Sequence, residues 1–323
     1  MEPIFPILKL PKNVIVHVLE GIDFTQLLIF SLISLKTKQL VTSLGIEARD
    51  VDIGINRKIS INVHSTKSYS SLNFYDELSD QNELSLVDIN IPVAATFEYL
   101  YTRIQSPTPL LSFNNWLNHI RTIFSYTKPL NVYFREGCER FEVQSLKNAL
   151  GNINTLFLTG LPDDSSRKIL KNFNAPSELF LYRNPFEDTC HIQQILISNC
   201  EILRFVDEYS LDDMLLINSE KVKFYRSATQ KQFNQFLKHW IRGSNPRLRR
   251  MSLLITGLVD GEVYLKGIRC MRMSKAAKRE IRRKHNLSDF LHMIQIKRKD
   301  GTAAVVASEK SDDMHYVRFI VLH

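Results

Sequence analysis

The chain has 323 residues, of which 44% are hydrophobic and 24% charged, with a formal net charge of +8. These values indicate a globular protein with one large domain or two ordinary ones. The apolar stretch at residues 27–35 is shorter than the ~20 residues of a membrane span, and the first residues lack the basic segment of a secretory signal, so we expect a cytoplasmic or nuclear protein without membrane contact.

Residues 5–44 are predicted to form three short helices. In the first, apolar residues recur at the spacing of one helix face: Pro11, Val14, Ile15, Val18 and Leu19. Gly21 marks its end, and Asp23 with Gln26 is a capping box for the second helix. About forty residues are too few to bury their own core, so the apolar surface packs either on a partner or on the rest of this chain.

This segment resembles an F-box of the large nematode group, with Leu10-Pro11 opening the first helix and Asp23-x-x-x-Leu27-Leu28-x-Phe30-Ser31-Leu32 in the second. F-box modules bind a Skp-family adaptor, which docks on a cullin scaffold, so the resemblance implies the substrate receptor of a ubiquitin ligase. The residues we expect to contact the adaptor are Leu10, Pro11, Val14, Ile15, Val18, Leu19, Leu27, Leu28, Phe30 and Leu32. In the third helix, Leu35-Lys36-Thr37 replaces the Arg–Arg–Trp or Phe often found in the family.

Residues 50–110 are predicted to be rich in strands. Apolar and polar residues alternate at 51–55 and 59–63 around a turn at 56–58, and the pattern continues at 72–74 and 84–91 beyond a polar loop at 76–83. The Ser-Pro-Thr-Pro run at 106–109 cannot continue a regular element. We therefore predict an F-box at 4–45, a connecting segment at 46–110 and a further domain at 111–323.

Strands and helices then alternate as far as residue 256. Helices are predicted at 113–124, 141–150, 165–173, 211–217 and 230–242, and strands at 132–134, 155–158, 178–181, 195–200, 222–225 and 248–256. Asn199-Cys200 is like the pair at the turn of leucine-rich repeats, and Asp300-Gly301 predicts a hairpin in a closing β meander. The predicted fold class is α+β: a three-helix F-box, a leucine-rich-repeat-like curved α/β body and a C-terminal β meander.

A second resemblance lies within residues 110–270. The run Asn234-x-Phe236-Leu237-Lys238-His239-Trp240-Ile241-x-Gly243-Ser244-Asn245-Pro246-x-Leu248, followed by Leu265-Lys266-Gly267-Ile268, resembles the type 2 F-box-associated domain of nematode F-box proteins. The resemblance implies a domain that recruits a protein target.

Residues 266–284 hold nine Lys or Arg and one acid, a net charge of +8 that equals that of the whole chain. Five cations are three or four residues apart, so a helix would gather them on one stripe: Arg269, Arg272, Lys275, Lys278 and Arg282. The stripe is either a solvated helix surface or a contact for an anionic partner, and nucleic-acid binding through it is the alternative function. No aromatic residue interleaves the stripe as a stacking platform.

Motifs of catalysis are missing from the sequence. There is no phosphate-binding loop, dinucleotide fingerprint, nucleophile elbow or His-Glu-x-x-His helix. The four cysteines form no Cys-x-x-Cys pair, and Cys190, His191 and Cys200 are the nearest approach to a metal cluster. We therefore expect no cofactor, no metal and no catalytic residues: a binding protein with reduced thiols rather than an enzyme.

Overall fold

The computed structural model describes residues 7–66, 68–75, 86–99, 102–105, 110–173, 176–256, 263–288, 291–311 and 314–322. The chain divides into two compact units, Met1–Asn174 and Ala175–His323. The predicted loop at 76–83 and the predicted boundary at 106–109 lie outside the described residues. Within the described part of the chain, no helix is long and apolar enough to cross a membrane.

The N-terminal unit begins with the three predicted helices: α1 (Lys12–Glu20), α2 (Phe24–Ser31) and α3 (Leu35–Ser43), preceded by a 3-10 turn at Ile7–Lys9. Asp23 caps α2, because its carboxylate accepts a hydrogen bond of 2.8 Å from the Thr25 amide. Ser34 and Thr37 form a reciprocal capping box that starts α3. Local capping thus separates three short helices within about thirty residues, and the three-helix prediction is confirmed.

In the part of this unit that the structure describes, seven strands follow: β1 (Asp50–Ile55), β2 (Ile59–His64), β3 (Tyr69–Phe74), β4 (Thr96–Tyr99), β5 (Thr102–Gln105), β6 (Leu130–Phe134) and β7 (Ile153–Leu158). Strands β1 to β5 form an antiparallel ladder in chain order, and β6 and then β7 extend it in parallel beside β1. The connecting and flanking helices are α4 (Phe113–Ile123), α5 (Val143–Leu150) and α6 (Asp163–Asn172). The predicted turn at 56–58 joins β1 to β2.

Two of the N-terminal strands show why alternation predicted them correctly. In β1 and β2 every second residue is buried, and the apolar members Val51, Ile53, Ile59 and Ile61 have no exposed surface.

The predicted strand at 84–91 is wrong for its described part, 86–91. There the Asp88 side chain accepts hydrogen bonds from the backbone and side chain of Asn90, which favours a turn over a strand.

The C-terminal unit alternates strands and helices. Its elements are β8 (Glu178–Leu181), α7 (Thr189–Leu196), β9 (Ile202–Phe205), α8 (Leu211–Leu216), β10 (Lys221–Thr229), α9 (Gln230–Arg242), β11 (Arg250–Thr256), α10 (Lys275–His285), β12 (His292–Lys297), β13 (Ala303–Ser311) and β14 (Met314–Leu322). Strands β8 to β11 are parallel and neighbours in chain order. Strand β14 pairs antiparallel with β11, and β13 and β12 follow outward, so the predicted C-terminal meander is confirmed.

The predicted strand at 195–200 is wrong, because this run is the end of α7 and the turn after it. Ile192 and Leu196 are both buried, four residues apart on one helix face. Cys200 is also buried, with its Sγ 3.0 Å from the Ser219 hydroxyl. The next strand, β9, begins only at Ile202. A short apolar run does not distinguish a strand from a helix end.

Candidate functional site

The ten residues predicted to contact an adaptor do not lie on one surface of the structure. Five of them are buried: Ile15, Leu19, Leu27, Leu28 and Leu32. Leu10 and Phe30 are half-buried, while Pro11, Val14 and Val18 are exposed, the two valines at 39% and 41%. The sequence pattern therefore contains two stripes of α1: residues 15 and 19 face inward, and residues 11, 14 and 18 face outward.

Helix α2 packs on the rest of the N-terminal unit. Phe24 stacks on Phe124 with ring centroids 4.2 Å apart. The buried Thr25 hydroxyl donates a 3.0 Å hydrogen bond to the Ser70 hydroxyl in β3. Leu27, Leu28 and Leu32 are buried as well, so these apolar side chains of α2 and its C-terminal end form part of the core of this unit.

A buried polar contact joins α2 to α4. The Ser31 hydroxyl donates to the Leu28 carbonyl at 2.6 Å, and its oxygen lies 2.7 Å from Nε2 of His119. Because the single hydroxyl proton is used on the carbonyl, the ring nitrogen is the donor of the second bond. Burial, together with the nearby charge of Lys38, lowers the pKa of His119 to about 4. His119 is therefore a neutral core residue at physiological pH, and the sequence pattern did not single it out.

Two large apolar residues that the spacing did not select are exposed at the start of α3. Leu35 is 80% exposed and Ile33 is 59% exposed. Leu35 stands at the family position where the sequence departs from Arg–Arg–Trp or Phe. We call Pro11, Val14, Val18, Ile33 and Leu35 the exposed apolar set of the helical segment. An exposed set of this kind is typical of a contact for another protein.

The predicted basic stripe is divided by the structure. Helix α10 begins only at Lys275, where Ser274 accepts a 3.1 Å hydrogen bond from the Ala277 amide. Arg269 and Arg272 therefore precede the helix, and the prediction of one continuous helical stripe is wrong. Of its helical members, Lys275 is exposed, Lys278 is half-buried, and Arg282 is half-buried with its guanidinium donating to the Leu291 carbonyl at 3.4 Å.

The cysteines and the cavity of the N-terminal unit offer little chemistry. A cavity of about 360 Å³ is lined by Phe134, Cys138, Phe141 and Lys168 among others. Burial and the charge of Glu139 raise the pKa of the Cys138 thiol to about 12, so it is not a nucleophile at neutral pH. The described residues contain no group of three or more His, Cys, Asp or Glu that could hold a metal ion. The Cys190 side chain lies outside the described part.

Comparison with known proteins identifies two modules. Residues 7–48, which contain α1, α2 and α3, match the model of the F-box domain, and residues 191–253 match the model described as F-box associated. The chain is 24% identical over 248 residues to the F-box associated domain-containing protein sdz-33 of Caenorhabditis elegans, an alignment that covers 76% of this chain and 77% of that protein. No solved structure matches the chain. Both resemblances read from the sequence are confirmed, and this chain is an F-box protein that carries an F-box-associated domain.

Proposed function

We propose that this protein is the target-recognition subunit of a Skp/cullin/F-box ubiquitin ligase and acts in the cytoplasm or nucleus. An F-box implies binding to a Skp-family adaptor in general, and an F-box with an associated domain implies a substrate-adaptor role in general. The observation that carries the proposal is the exposed apolar set on α1 and at the start of α3, left uncovered in helices that otherwise pack into a core.

The adaptor contact is assigned to the exposed members of the predicted set. Pro11, Val14 and Val18 present one stripe of α1, and Leu35 adds an apolar side chain where the family often has Arg. Such a stripe fits a hydrophobic groove, which is how amphipathic helices bind many partners. Ile15, Leu19, Leu27, Leu28 and Leu32 are buried, so their proposed role is to hold the exposed residues in position.

The protein performs no chemistry in this proposal. It binds a target through the C-terminal unit, whose β8 to β11 strands alternate with helices in the consecutive parallel order of a leucine-rich-repeat-like body. Holding a target lysine beside the conjugating enzyme of the ligase raises its effective concentration there. The rate gain is therefore one of proximity, and the specificity of the ligase depends on what the C-terminal unit binds.

The test is co-expression of the full chain with a Skp-family adaptor and size-exclusion chromatography. We expect stable 1:1 co-elution of the wild type. Val14→Glu with Val18→Glu is expected to abolish it, because two carboxylates would enter an apolar contact. Leu35→Glu alone is expected to weaken it.

The matched control is Asn13→Glu with Gln26→Glu, which adds the same charge at exposed positions of α1 and α2. This control is expected to co-elute with the adaptor as the wild type does. Failure of the folded wild type to co-elute, or equal loss in the test and control variants, would overturn the proposal.

A further inference from the structure

The sheet of the C-terminal unit has two chemically different faces. On one face five residues lie in register across five strands and are all buried: Leu179, Leu203, Val222, Met251 and Phe319. Helix α9 covers this face, since Phe236 and Trp240 both meet the Phe319 ring edge-on, with centroids 5.9 and 5.0 Å away. This side of the sheet is core.

The residues between them point to the opposite side, because side chains alternate along a strand. Phe180, Arg204, Lys223, Ser252 and Arg318 form one register line across β8, β9, β10, β11 and β14. We call this side the open sheet face. Neighbouring strands are about 4.8 Å apart, so the row from Arg204 through Lys223 to Arg318 is roughly 14 Å long. Arg250 lies on the same face beside this row.

The cations of the open sheet face are held by aromatic rings more than by acids. The Lys223 ammonium lies 4.3 Å from the Tyr225 ring centroid, and the Arg318 guanidinium lies 5.1 Å from that of Tyr316. Arg204 pairs with Glu178 at 3.7 Å. Among the described residues, no carboxylate pairs with Lys223, Arg250 or Arg318. Within the described part of the chain, the positive charges of Lys223, Arg250 and Arg318 are therefore not neutralised by a direct ion pair.

Two titration shifts agree with this uncompensated charge. The pKa of Arg250 is lowered by burial and by the charge of Arg318. Burial raises the pKa of Tyr316, yet hydrogen bonds with Ser252 and Arg318 and the charges of Arg318 and Lys223 lower it below its usual value overall. Burial is the main cause at Arg250, where Tyr316 opposes the effect of Arg318, whereas at Tyr316 the neighbouring hydrogen bonds and cations outweigh burial.

On the open sheet face Arg204 is exposed, and Lys223, Arg250 and Arg318 are half-buried. The β14 end of this side of the sheet is covered by helix α10. Its Ile281 packs in a cluster with Ile320, and Ile320 pairs in register with Arg250 on the open sheet face. The pKa of His285, at the end of α10, is lowered by burial and by the charges of Lys284 and Arg250. Helix α10, which is rich in Lys and Arg, therefore lies next to the row of Arg204, Lys223 and Arg318, and together they form one positively charged surface.

We propose that the open sheet face is the target-recruiting surface of this protein and that it binds an acidic segment of the target, a run containing several Asp or Glu. This inference rests on the proposed function as a ligase receptor. An extended segment rises about 3.3 Å per residue, so four or five residues span the row. Carboxylates laid across this row would form charge-assisted hydrogen bonds with Lys223 and Arg318, for which no described residue supplies a carboxylate, and would compete with Glu178 for Arg204.

The aromatic residues of this face favour a peptide over a nucleic acid. Binding of single strands relies on open ring faces on which bases stack. Tyr225 and Tyr316 each have a cation over the ring instead, and Tyr225 also packs against Phe180 with centroids 5.9 Å apart. Because each tyrosine ring fixes the position of one cation, the ring is not available for base stacking, whereas the cation is available to pair with a carboxylate.

The experiment measures fluorescence anisotropy of a labelled twelve-residue peptide with Asp and Glu at alternate positions, titrated with the full chain. A peptide with Asn and Gln in their place, a serine-phosphorylated peptide and a single-stranded oligonucleotide are run beside it. The test variant is Arg204→Glu with Lys223→Glu. The control variant is Lys231→Glu with Arg242→Glu, which makes the same charge change at exposed positions of α9, the helix on the covered face.

We expect salt-sensitive binding of the acidic peptide and weak binding of its amide counterpart. The test variant should raise Kd by on the order of tenfold or more, and the control by less than about threefold. If the reversal lowers thermal stability, Arg204→Gln with Lys223→Gln should still weaken binding in the same direction. Equal weakening by test and control variants, no binding of the acidic peptide, or a clear preference for the phosphopeptide or the oligonucleotide would overturn the inference.

Adaptor co-elution of the same variants separates this inference from the proposed function. The test variant should lose the peptide and keep the adaptor, because the cations it removes lie outside the helical segment. A wild type that binds the peptide but no adaptor would overturn the receptor function and leave the peptide site standing. A wild type that binds the adaptor but no acidic peptide would support the receptor function and overturn the peptide site.

Discussion

Some apolar residues of the three-helix segment, residues 5–44, are buried in the core, and others are exposed on the surface. Apolar spacing predicted the helix but could not separate Val14 and Val18 from Ile15 and Leu19, because both pairs satisfy a helical period. The division depends on which side the rest of the unit covers, and that follows from contacts between residues far apart in sequence. His119 and Ser31 are 88 residues apart, so the sequence around either residue does not indicate their hydrogen bond.

His119 is expected to make the N-terminal unit sensitive to acid. Its pKa in the folded protein is about 4, below the value of about 6.5 in an unfolded chain, so the unfolded chain binds the proton first as pH falls. Its contribution to the free energy of unfolding is therefore intact above pH ~6.5, declines between ~6.5 and ~4, and changes no further below that. By pH ~4.5 we expect a loss of about 2 kcal/mol from this group.

The measurement is urea unfolding of the wild type and of His119→Gln at neutral pH and at pH ~4.5. Glutamine keeps a donor toward Ser31 but does not titrate. The wild type should therefore lose more stability on acidification than the variant. An equal loss in both proteins would mean that His119 carries no such proton linkage, since the acidic residues common to both would then account for the whole effect.

At the scale of elements, prediction succeeded where local signals agreed. Helix α9 was predicted with both ends correct, because Thr229 caps it by accepting from the Gln232 amide, Gly243 follows it, and its apolar face is strongly periodic. Prediction failed at 195–200, where an apolar run carried no cap and no period. The register of the open sheet face was also missed. Its local signs are the single cation Arg204 in β9 and the alternating Lys221 and Lys223 in β10, which indicate a shared surface only when the adjacent strands are aligned.

The asparagines of the Asn234 to Asn245 run hold neighbouring elements together. The Asn234 side-chain amide donates to the carbonyls of Tyr264 and Lys266, which fixes the segment after β11 against α9. Asn245 has a left-handed backbone with φ of 51° and donates to the carbonyls of Met214 and Ile217, both at 3.0 Å. It therefore closes the C-terminal end of α8 from thirty residues away.

Replacing Asn245 is expected to destabilise the C-terminal unit through both of these properties. Asn245→Ala loses buried hydrogen bonds and puts alanine, which tolerates positive φ less well than asparagine, at this position, for an expected cost of about 3 kcal/mol in the free energy of unfolding. Asn245→Gly loses the bonds but tolerates the backbone, so its cost should be smaller by about 1 kcal/mol. Thermal unfolding of the three proteins measures the order. Alanine more stable than glycine would show that the backbone conformation carries no strain.

For the whole molecule, the sequence predicted the α/β alternation and the closing meander, since these depend on consecutive elements. It did not predict how the helical segment sits in its unit. The chain forms two compact units, Met1–Asn174 and Ala175–His323, and the three helices belong to the first. Packing of α2 on β3 and α4 arises from complementary surfaces that no single stretch of sequence reveals. The F-box of this chain is consequently part of a larger core.

This integration predicts what removal of residues 1–45 would do. The deletion takes Phe24 from the stacked Phe124 ring, Thr25 from Ser70, and Ser31 from the buried His119. A bare apolar face and an unpaired ring nitrogen would remain, so β3 and α4 should lose protection. Hydrogen exchange of the full and shortened chains should show faster exchange throughout 69–74 and 113–123, with little change in 178–256. Unchanged protection of α4 would mean that the helical segment is a separable module, and the adaptor contact could then be studied by deletion instead of by point substitution.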